Sequence, residues 1–431
     1  MSEGDDDIQK RECKKILKKV RAGNVMLAKY PSYTSCMRIF TKDIHNIHNI
    51  HNIHNTQQKQ PKQPRKTGGD IEEPYKYRLS NRIKKYNLLR PQLSQLKEHE
   101  CLEKKTFADG TEGYTVRNII NLEKRMGSKS RNSTIYLTSI YGVPKTTPIV
   151  SKIMLYNSNN ILETNLMTMI TDSIILKSLS RHFLMTYGDC VCAKRIAKKL
   201  RFISINELAD GDLKTLIEKR EVVEDTELMF NMLIQIYIAI ATYHNLVGFV
   251  HRDTHFGNFL YQHNDEKGYY HYVFQGKDYY LKSCKYNMMI YDYGFSKKIN
   301  AKATTDGVDA TTDATDAETT TETTIKRKEE IFNDYMKIIH AFILRKSKGW
   351  INLTKIPSYK ETNYNMIRIA NMLDRYIKHE LEHYAAHSSA SFATFIFSNI
   401  IEEIFLRLAP NGMLITQRPP NVINKIPFRI N

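Results

Sequence analysis

At 431 residues, with 41% hydrophobic and 10% aromatic residues, the chain has enough apolar material for a sizeable core, which excludes a wholly unstructured polypeptide. Its 64 Lys and Arg residues outnumber its 46 Asp and Glu residues, and the net charge of +18 favours anionic partners such as nucleic acid, nucleotides or acidic membranes. The six cysteines are scattered, Cys190 and Cys192 make a poor zinc signature, and the charged N-terminus does not resemble a secretory signal, so we expect an intracellular protein with reduced thiols.

Residues 1–75 are predicted to form a basic, partly disordered N-terminal extension. Residues 44–55 repeat Ile-His-Asn, which could in principle supply histidine ligands to a metal. A period of three does not keep the histidines on one face of a helix, however, and no Cys or carboxylate completes a site. A low-complexity insertion is therefore favoured. Residues 57–70 have the Gln, Pro, Lys and Gly content of a linker. The extension is a candidate region for binding nucleic acid, and residues 76–114 are assigned to a connecting segment.

The folded body is predicted to change from strands to helices along the chain. A β-hairpin is expected from residues 133–142 and 148–157, and a further strand from residues 200–208. Helices are expected at residues 161–180, 226–246, 328–344, 361–386 and 391–407. This order predicts an α+β fold with a small sheet-rich part, residues 115–210, followed by a larger helical part, residues 211–431. A Thr- and Asp-rich insertion at residues 302–325 has too few apolar residues to order itself.

One apolar segment has the length of a membrane span. Residues 230–250 carry no formal charge. Polar side chains such as Asn231 and Gln235 are spread through the segment, and its apolar residues recur at helical spacing. We therefore interpret it as a buried core helix and expect no membrane span.

Two short motifs carry oxygen-bearing side chains. In "HRDTHFGN" (251–258), Asp253 and Asn258 lie five residues apart on a loop that contains a glycine, and Asp292 follows an apolar run in "YDYG". Mg²⁺ prefers oxygen ligands and is usually held by one or two side chains together with phosphate oxygens. A further acid at such a site can accept the proton of an attacking hydroxyl.

This pair of motifs resembles the catalytic loop and the metal-binding triplet of the protein-kinase superfamily. The wording "HRDTHFGN" is most similar to that of atypical serine/threonine protein kinases of large nucleocytoplasmic DNA viruses, and also to the haspin group. The resemblance implies a two-lobed protein-kinase-like fold with a small β-rich N-lobe and a larger helical C-lobe. It also implies protein substrates, ATP with Mg²⁺ (Mn²⁺ as an alternative), and a location in the host cytoplasm or the virion.

The resemblance assigns roles within the two motifs. Asp253 is expected to be the catalytic base, and Arg252 belongs to the same catalytic triplet. Asn258 and Asp292 are expected to hold the metal. His255 stands where serine/threonine kinases usually have Lys, and we expect its imidazole to contact the γ-phosphate.

Outside these motifs the resemblance extends to the nucleotide site. Lys152 in "VSKIM" (150–154) is expected to bind the α- and β-phosphates and to pair with Glu163. In the position of the glycine-rich phosphate loop only one of the usual glycines remains, and its residues are Gly127, Ser128 and Ser130.

Two later segments complete the resemblance. Residues 203–216 resemble the hinge that binds adenine, with Glu207 and Leu208 at the adenine edge and Asp212 near the ribose. In residues 332–342, Asp334 is expected to anchor the catalytic loop, and residues 269–294 are expected to form an enlarged hairpin before the metal triplet.

Two alternatives remain open. Small-molecule kinases of the aminoglycoside or choline type share D-x-H-x-x-N, although Arg252 and the hinge favour a protein kinase. A catalytically weak, basic scaffold that binds nucleic acid would also explain the sparse glycines and the positive charge. The segment after Asp292 lacks the Ala-Pro-Glu motif that follows the metal-binding triplet in protein kinases. The sequence does not indicate the protein substrate or the oligomeric state.

Overall fold

A computed structural model of the chain describes residues 77–94, 102–107, 112–126, 133–143, 149–196, 199–299, 315–342 and 389–431, together with the single positions 110, 371 and 375. All of them belong to one compact unit, Lys76–Asn431. The predicted extension at residues 1–75, with its Ile-His-Asn repeat, lies outside the described residues, as does nearly all of the helix predicted at residues 361–386.

The described chain begins with a helix and a series of short strands. In chain order these are α1 (Leu79–Leu93), β1 (Leu102–Thr106), β2 (Glu112–Val116), β3 (Ile120–Met126), β4 (Ser133–Ile140) and β5 (Ile149–Leu155). The hairpin predicted around residue 145 is confirmed, because β4 and β5 pair antiparallel from Ser133 opposite Met154 to Thr138 opposite Ile149. The segment assigned as a connection therefore contains α1, β1 and part of β2.

Helix α2 (Ser158–Ile170) follows, and the side chain of Asn157 caps it by accepting the N–H of Asn160 at 2.9 Å. Two long strands, β6 (Thr186–Ile196) and β7 (Lys199–Glu207), then complete a seven-stranded antiparallel sheet in the order β1-β2-β3-β4-β5-β7-β6. Cys190 in β6 and Cys284 carry free thiols.

The next elements are the two-residue strand β8 (Gly211–Asp212), the short helices α3 (Leu213–Ile217) and α4 (Arg220–Val223), and the long helix α5 (Thr226–Thr242). Asp225 caps α5 by accepting the N–H of Leu228 at 2.9 Å, and every residue from Leu228 to Thr242 is buried. The interpretation of this segment as a core helix is therefore confirmed. Among the described residues, no helix is long and apolar enough to cross a membrane.

Six short strands come next in the chain, and the first motif lies on the loop between the first two. They are β9 (Phe249–Val250), β10 (Phe259–His263), β11 (Tyr269–Phe274), β12 (Lys277–Lys282), β13 (Tyr286–Ile290) and β14 (Lys297–Lys298). Strand β10 pairs with both β8 and β13, and β9 pairs with β14. The hairpin predicted within residues 269–294 is confirmed for β11 and β12, whose turn at Gln275 and Gly276 has positive φ at both residues, as a two-residue hairpin requires. Strand β13 is not part of it and pairs with β10.

The last described elements are the helices α6 (Thr315–Phe342), α7 (Ser389–Asn399) and α8 (Leu406–Leu408) and the strands β15 (Leu414–Ile415) and β16 (Phe428–Arg429). Helix α6 begins at Thr315, whereas a helix was predicted only from residue 328. Its first turns therefore lie inside the insertion at residues 302–325, which was expected to be disordered. Strands β15 and β16 flank the β11–β12 hairpin in a four-stranded sheet. The fold is thus a mixed α+β arrangement of antiparallel sheets and helices.

Candidate functional site

Lys152 and Glu163, which were predicted to form an ion pair, lie in contact. Lys152 on β5 points its Nζ at Oε1 of Glu163 on α2, at a distance of 2.6 Å, and both side chains are buried. The same Nζ lies 3.4 Å from Oδ1 of Asp292. One ammonium group therefore joins the sheet, the helix and the second motif.

The electrostatics of this cluster follow from its burial. Burial raises the pKa of Glu163 to about 7, an effect that Lys152 opposes and the charge of Asp292 reinforces. Burial alone would lower the pKa of Lys152, but Tyr291, Glu163 and Asp292 outweigh it, and that pKa is raised above its ordinary value. Lys152 is thus a permanent cation, whereas Glu163 can take up a proton near neutral pH.

Asp253 and Asn258 lie together on the loop between β9 and β10. The side-chain amide of Asn258 donates to the Asp253 carbonyl at 2.8 Å and to Oδ2 of its carboxylate at 3.1 Å. Because both bonds use Nδ2, the carbonyl oxygen Oδ1 of Asn258 is left as an acceptor. The pKa of Asp253 is lowered, chiefly by a hydrogen bond from His255, with burial opposing. Asp253 is therefore an ionised, partly exposed carboxylate.

His255 is oriented by its own loop. Its Nδ1 accepts the N–H of Gly257 at 3.0 Å, which assigns the proton of a neutral ring to Nε2. Nε2 lies 3.5 Å from Oδ2 of Asp253, and half of the side chain is exposed. A Cβ at position 257 would lie 2.9 Å from the imidazole, so the glycine permits this arrangement. The exposed ring is available to a ligand beside Asp253.

Buried side chains fix the backbone of this loop. His251 is fully buried, its Nε2 lies 3.1 Å from the carbonyl of Tyr291, and its Nδ1 accepts the N–H of Asp253 at 3.3 Å. Burial lowers the pKa of His251, so the ring is neutral. Asp334 on α6 accepts the N–H groups of His251 and Arg252, each at 2.7 Å. Asp334 therefore holds the loop as the sequence predicts.

Two residues of the motifs have unusual backbone conformations. Arg252 has φ of 69° and Asp292 has φ of 67°, values that cost a non-glycine residue on the order of 1–3 kcal/mol. The Arg252 side chain pairs with Glu330 at 3.0 Å and donates to the carbonyl of Phe295 at 3.3 Å. Strain of this kind persists where the surrounding contacts hold it, which is typical of functional loops.

Asn258 and Asp292 lie at the same end of the strand pair β10–β13. Asn258 comes immediately before β10, and Asp292 comes two residues after the end of β13. Residue Phe259 of β10 lies opposite Ile290 of β13, and beyond them the N–H of Tyr291 donates to the carbonyl of Asn258 at 3.0 Å. Paired strands are about 4.8 Å apart, so the two oxygen-bearing side chains start from neighbouring positions. Among the described residues, no group of three or more His, Cys, Asp and Glu side chains could hold a metal ion. A site of two oxygen donors completed by phosphate would suit Mg²⁺.

The predicted hinge residues have definite structural partners. The Glu207 carboxylate forms a buried ion pair with Arg82 at 2.8 Å, and Leu208 accepts a hydrogen bond from Gln262 at 3.3 Å. Asp212 uses Oδ1 to cap α3 by accepting the N–H of Thr215 at 2.8 Å. The structure thus gives the side chains of Glu207 and Asp212 contacts within the protein, and their predicted nucleotide contacts stay predictions.

Some residues that contact the candidate site were not predicted from the sequence, and some predicted residues lie outside the described part of the chain. Arg82 was missed because it is one basic residue in a chain with 64 of them, and no local motif marks it. The roles of Tyr291 and Glu330 were missed because each depends on a partner that is distant in sequence, Lys152 and Arg252 respectively. Gly127, Ser128 and Ser130 lie outside the described residues, so their role stays a prediction.

Comparisons with known proteins add no family assignment. No protein-family model matches the chain, and no curated protein matches it significantly.

Proposed function

We propose that the protein is a serine/threonine protein kinase, which transfers the γ-phosphoryl group of ATP to hydroxyl groups of proteins. The observation that carries the proposal is one connected series of contacts. Lys152 contacts Asp292 at 3.4 Å, the residue before Asp292 bonds to Asn258 at 3.0 Å, and Asn258 bonds to Asp253 at 3.1 Å. A cation, two oxygen donors and an ionised carboxylate are the groups that phosphoryl transfer requires.

In this proposal Asp253 orients the substrate hydroxyl and accepts its proton. Its lowered pKa supports this role, because the carboxylate is ionised at neutral pH. Its partial exposure gives a substrate access, and the bonds from Asn258 fix its orientation. Transfer then breaks the bond between the γ-phosphorus and the β,γ-bridging oxygen and forms a bond to the substrate oxygen.

Lys152 binds the α- and β-phosphates as a permanent cation, and Glu163 holds it in position. Oδ1 of Asn258 and the carboxylate of Asp292 are the residues that would hold Mg²⁺. Bound there, the ion would neutralise charge on the β- and γ-phosphates. The half-exposed His255, whose Nε2–H faces Asp253 in this structure, would turn that N–H toward the γ-phosphoryl group when ATP binds.

The proposal extends to architecture and family. The seven-stranded sheet with α2 would be the N-lobe, and the elements from β8 onward would be the C-lobe, with residues 207–212 as the hinge between them. The resemblance of "HRDTHFGN" supports membership among the atypical kinases of large nucleocytoplasmic DNA viruses.

The test is a transfer assay on the full chain with γ-labelled ATP and Mg²⁺, using generic basic and acidic proteins and then phosphoamino-acid analysis. We expect phosphoserine or phosphothreonine from the wild type. Asp253→Asn should reduce the rate by about 100- to 10,000-fold, because the amide cannot accept a proton. Asp265→Asn, the same change at an exposed position in the loop after β10, is the matched control and should leave the rate unchanged.

The other readings give different results in the same assay. Label found only in choline or an aminoglycoside, each supplied as an alternative acceptor, would identify a small-molecule kinase. A wild-type chain that binds no ATP in the presence of Mg²⁺ would refute catalysis and favour the nucleic-acid-binding scaffold.

A further inference from the structure

The chain immediately before and at the start of α1 packs against the connection that follows β7. We call residues 77–82 the strap and residues 207–212 the connection. More than 120 residues separate the two segments in sequence. The strap lies in residues 76–114, which the sequence predicts to be a connecting segment.

Arg82 makes the central contact between them. Its side chain is 1% exposed, its Nε donates to Oε1 of Glu207 at 2.9 Å, and its Nη2 donates to Oε2 at 2.8 Å. Nη1 and Nη2 also donate to the backbone carbonyls of Arg181 and Phe183. The planar fork of arginine matches a carboxylate in this two-point manner, and lysine cannot reproduce it.

A second contact holds the connection three residues further on. The hydroxyl of Tyr77 donates to Oδ1 of Asp210 at 2.6 Å. Oδ2 of Asp210 accepts the backbone N–H of His263 at 2.7 Å and also lies 2.7 Å from Nδ1 of its ring. The strap thus fixes Glu207 and Asp210, on either side of Leu208 and Ala209.

The burial of the first contact makes its geometry important. A carboxylate and a guanidinium that are both removed from water must keep good geometry, since either alone would be a buried, unpaired charge. The Glu207 backbone is also held by the sheet, because its N–H donates to the carbonyl of Met185 at 2.9 Å. The ion pair adds a link from α1 to the point where the chain leaves the sheet for Leu208.

We propose that the strap is a positioning element for the nucleotide: Arg82 and Tyr77 set the backbone of residues 207–210, against which the base of ATP binds. This inference rests on the proposed kinase function. It assigns to residues 77–82 a part in nucleotide affinity, with no part in the transfer step itself.

A purely structural role would give a different kinetic result. Loss of fold lowers the amount of active enzyme, so it reduces the apparent kcat and leaves KM for ATP unchanged. A misplaced connection raises KM for ATP and the Kd of a fluorescent ATP analogue, while kcat of the bound complex is kept. The split between KM and kcat therefore separates the two roles.

The experiment compares the full-length wild type with Tyr77→Phe, Arg82→Lys and Tyr86→Phe. Tyr77→Phe removes one hydrogen bond, and we expect KM for ATP to rise about 3- to 10-fold. Arg82→Lys keeps the charge and loses the fork, and we expect a rise of about 10-fold or more. Tyr86→Phe is the matched control on the same helix, because its hydroxyl faces Asp172 at 3.5 Å instead of the connection, and KM should not change.

Each outcome decides the proposal. Raised KM and Kd at constant kcat in both strap variants, with Tyr86→Phe unchanged, supports it. Unchanged KM in both strap variants, or a loss of kcat that follows a loss of melting temperature, overturns it while the kinase function stands. A wild type that binds neither ATP nor the analogue overturns both proposals.

Discussion

Oδ2 of Asp334 accepts the backbone N–H of His251 at 2.7 Å, across 83 residues of sequence. Oδ1 of the same carboxylate accepts the N–H of Arg252 at 2.7 Å. Its backbone carbonyl accepts the hydroxyl of Thr254 at 2.9 Å. Asp334 thus holds three residues of the loop that carries Asp253, namely His251, Arg252 and Thr254. One of them, Arg252, has the strained backbone conformation described above.

We expect Asp334→Asn to lower the free energy of unfolding by about 2–4 kcal/mol. Both carboxylate oxygens of Asp334 accept a backbone N–H, and in asparagine one of them is replaced by an NH₂ group, which would face a buried N–H that it cannot accept. The free energy of unfolding, measured by urea denaturation, tests this. Glu329→Gln makes the same acid-to-amide change on an exposed position of α6 and should alter stability by less than about 0.5 kcal/mol. Equal effects of the two substitutions would contradict the anchoring role.

Glu163 gives a prediction about pH. Its pKa of about 7 in the folded protein lies above the ordinary value of 4.5, so the folded state retains a proton that the unfolded chain has lost. Between those two values the unfolding free energy should therefore fall as pH rises. Burial also raises the pKa of Asp189 to about 6, so Glu163→Gln should make this fall shallower instead of removing it. Denaturation of both proteins at several pH values measures the difference, which should be largest between pH 6 and 7.

The same titration should appear in catalysis if the proposed function holds. Ionised Glu163 pairs with Lys152, so the wild-type rate should rise with pH through about 7, and Glu163→Gln should lack that step. Glu221→Gln, an exposed substitution, should keep the wild-type profile. A wild-type profile that is flat around pH 7 would argue against a role for this proton.

The local parts of the site could be read from the sequence. Asp253, Asn258 and Asp292 lie in two short motifs, and the hairpin of β4 and β5 follows from alternating apolar residues around a turn. Such features depend on residues that are close along the chain. The contact of Lys152 with Glu163 was also accessible, because the strand and the following helix leave few carboxylates as partners.

The remaining parts depend on contacts between distant residues. Strand β1 reads "LEKKT" and is mostly exposed, so it lacks the apolar alternation that identifies a strand. Helix α1 contains Pro91 and many charged residues, and its buried Arg82 has no feature that distinguishes it from an exposed arginine. Burial of a charge is decided by its partner, which here lies 125 residues away.

Gly248 supplies a prediction about the fold alone. It ends the turn after α5 with φ of 79°, a conformation that costs an L-residue about 1–2 kcal/mol. Gly248→Ala should therefore lower the unfolding free energy by about 1 kcal/mol, although no atom would clash with the added Cβ. Gly188→Ala is the control, since its φ is not positive and its Cβ would make ordinary contacts, and thermal or urea denaturation compares the two.

Asp292→Asn tests the oxygen donors for the metal. Asparagine tolerates positive φ, so the backbone at φ of 67° should be kept and the fold with it. Replacing the carboxylate by a neutral amide should raise the Mg²⁺ concentration needed for half-maximal transfer by about 10- to 100-fold. Titration of Mg²⁺ at fixed ATP measures this, with Asp265→Asn as the exposed control. A Mg²⁺ requirement in Asp292→Asn equal to that of the wild type would remove Asp292 from the metal site, because a lost ligand must weaken the ion's binding.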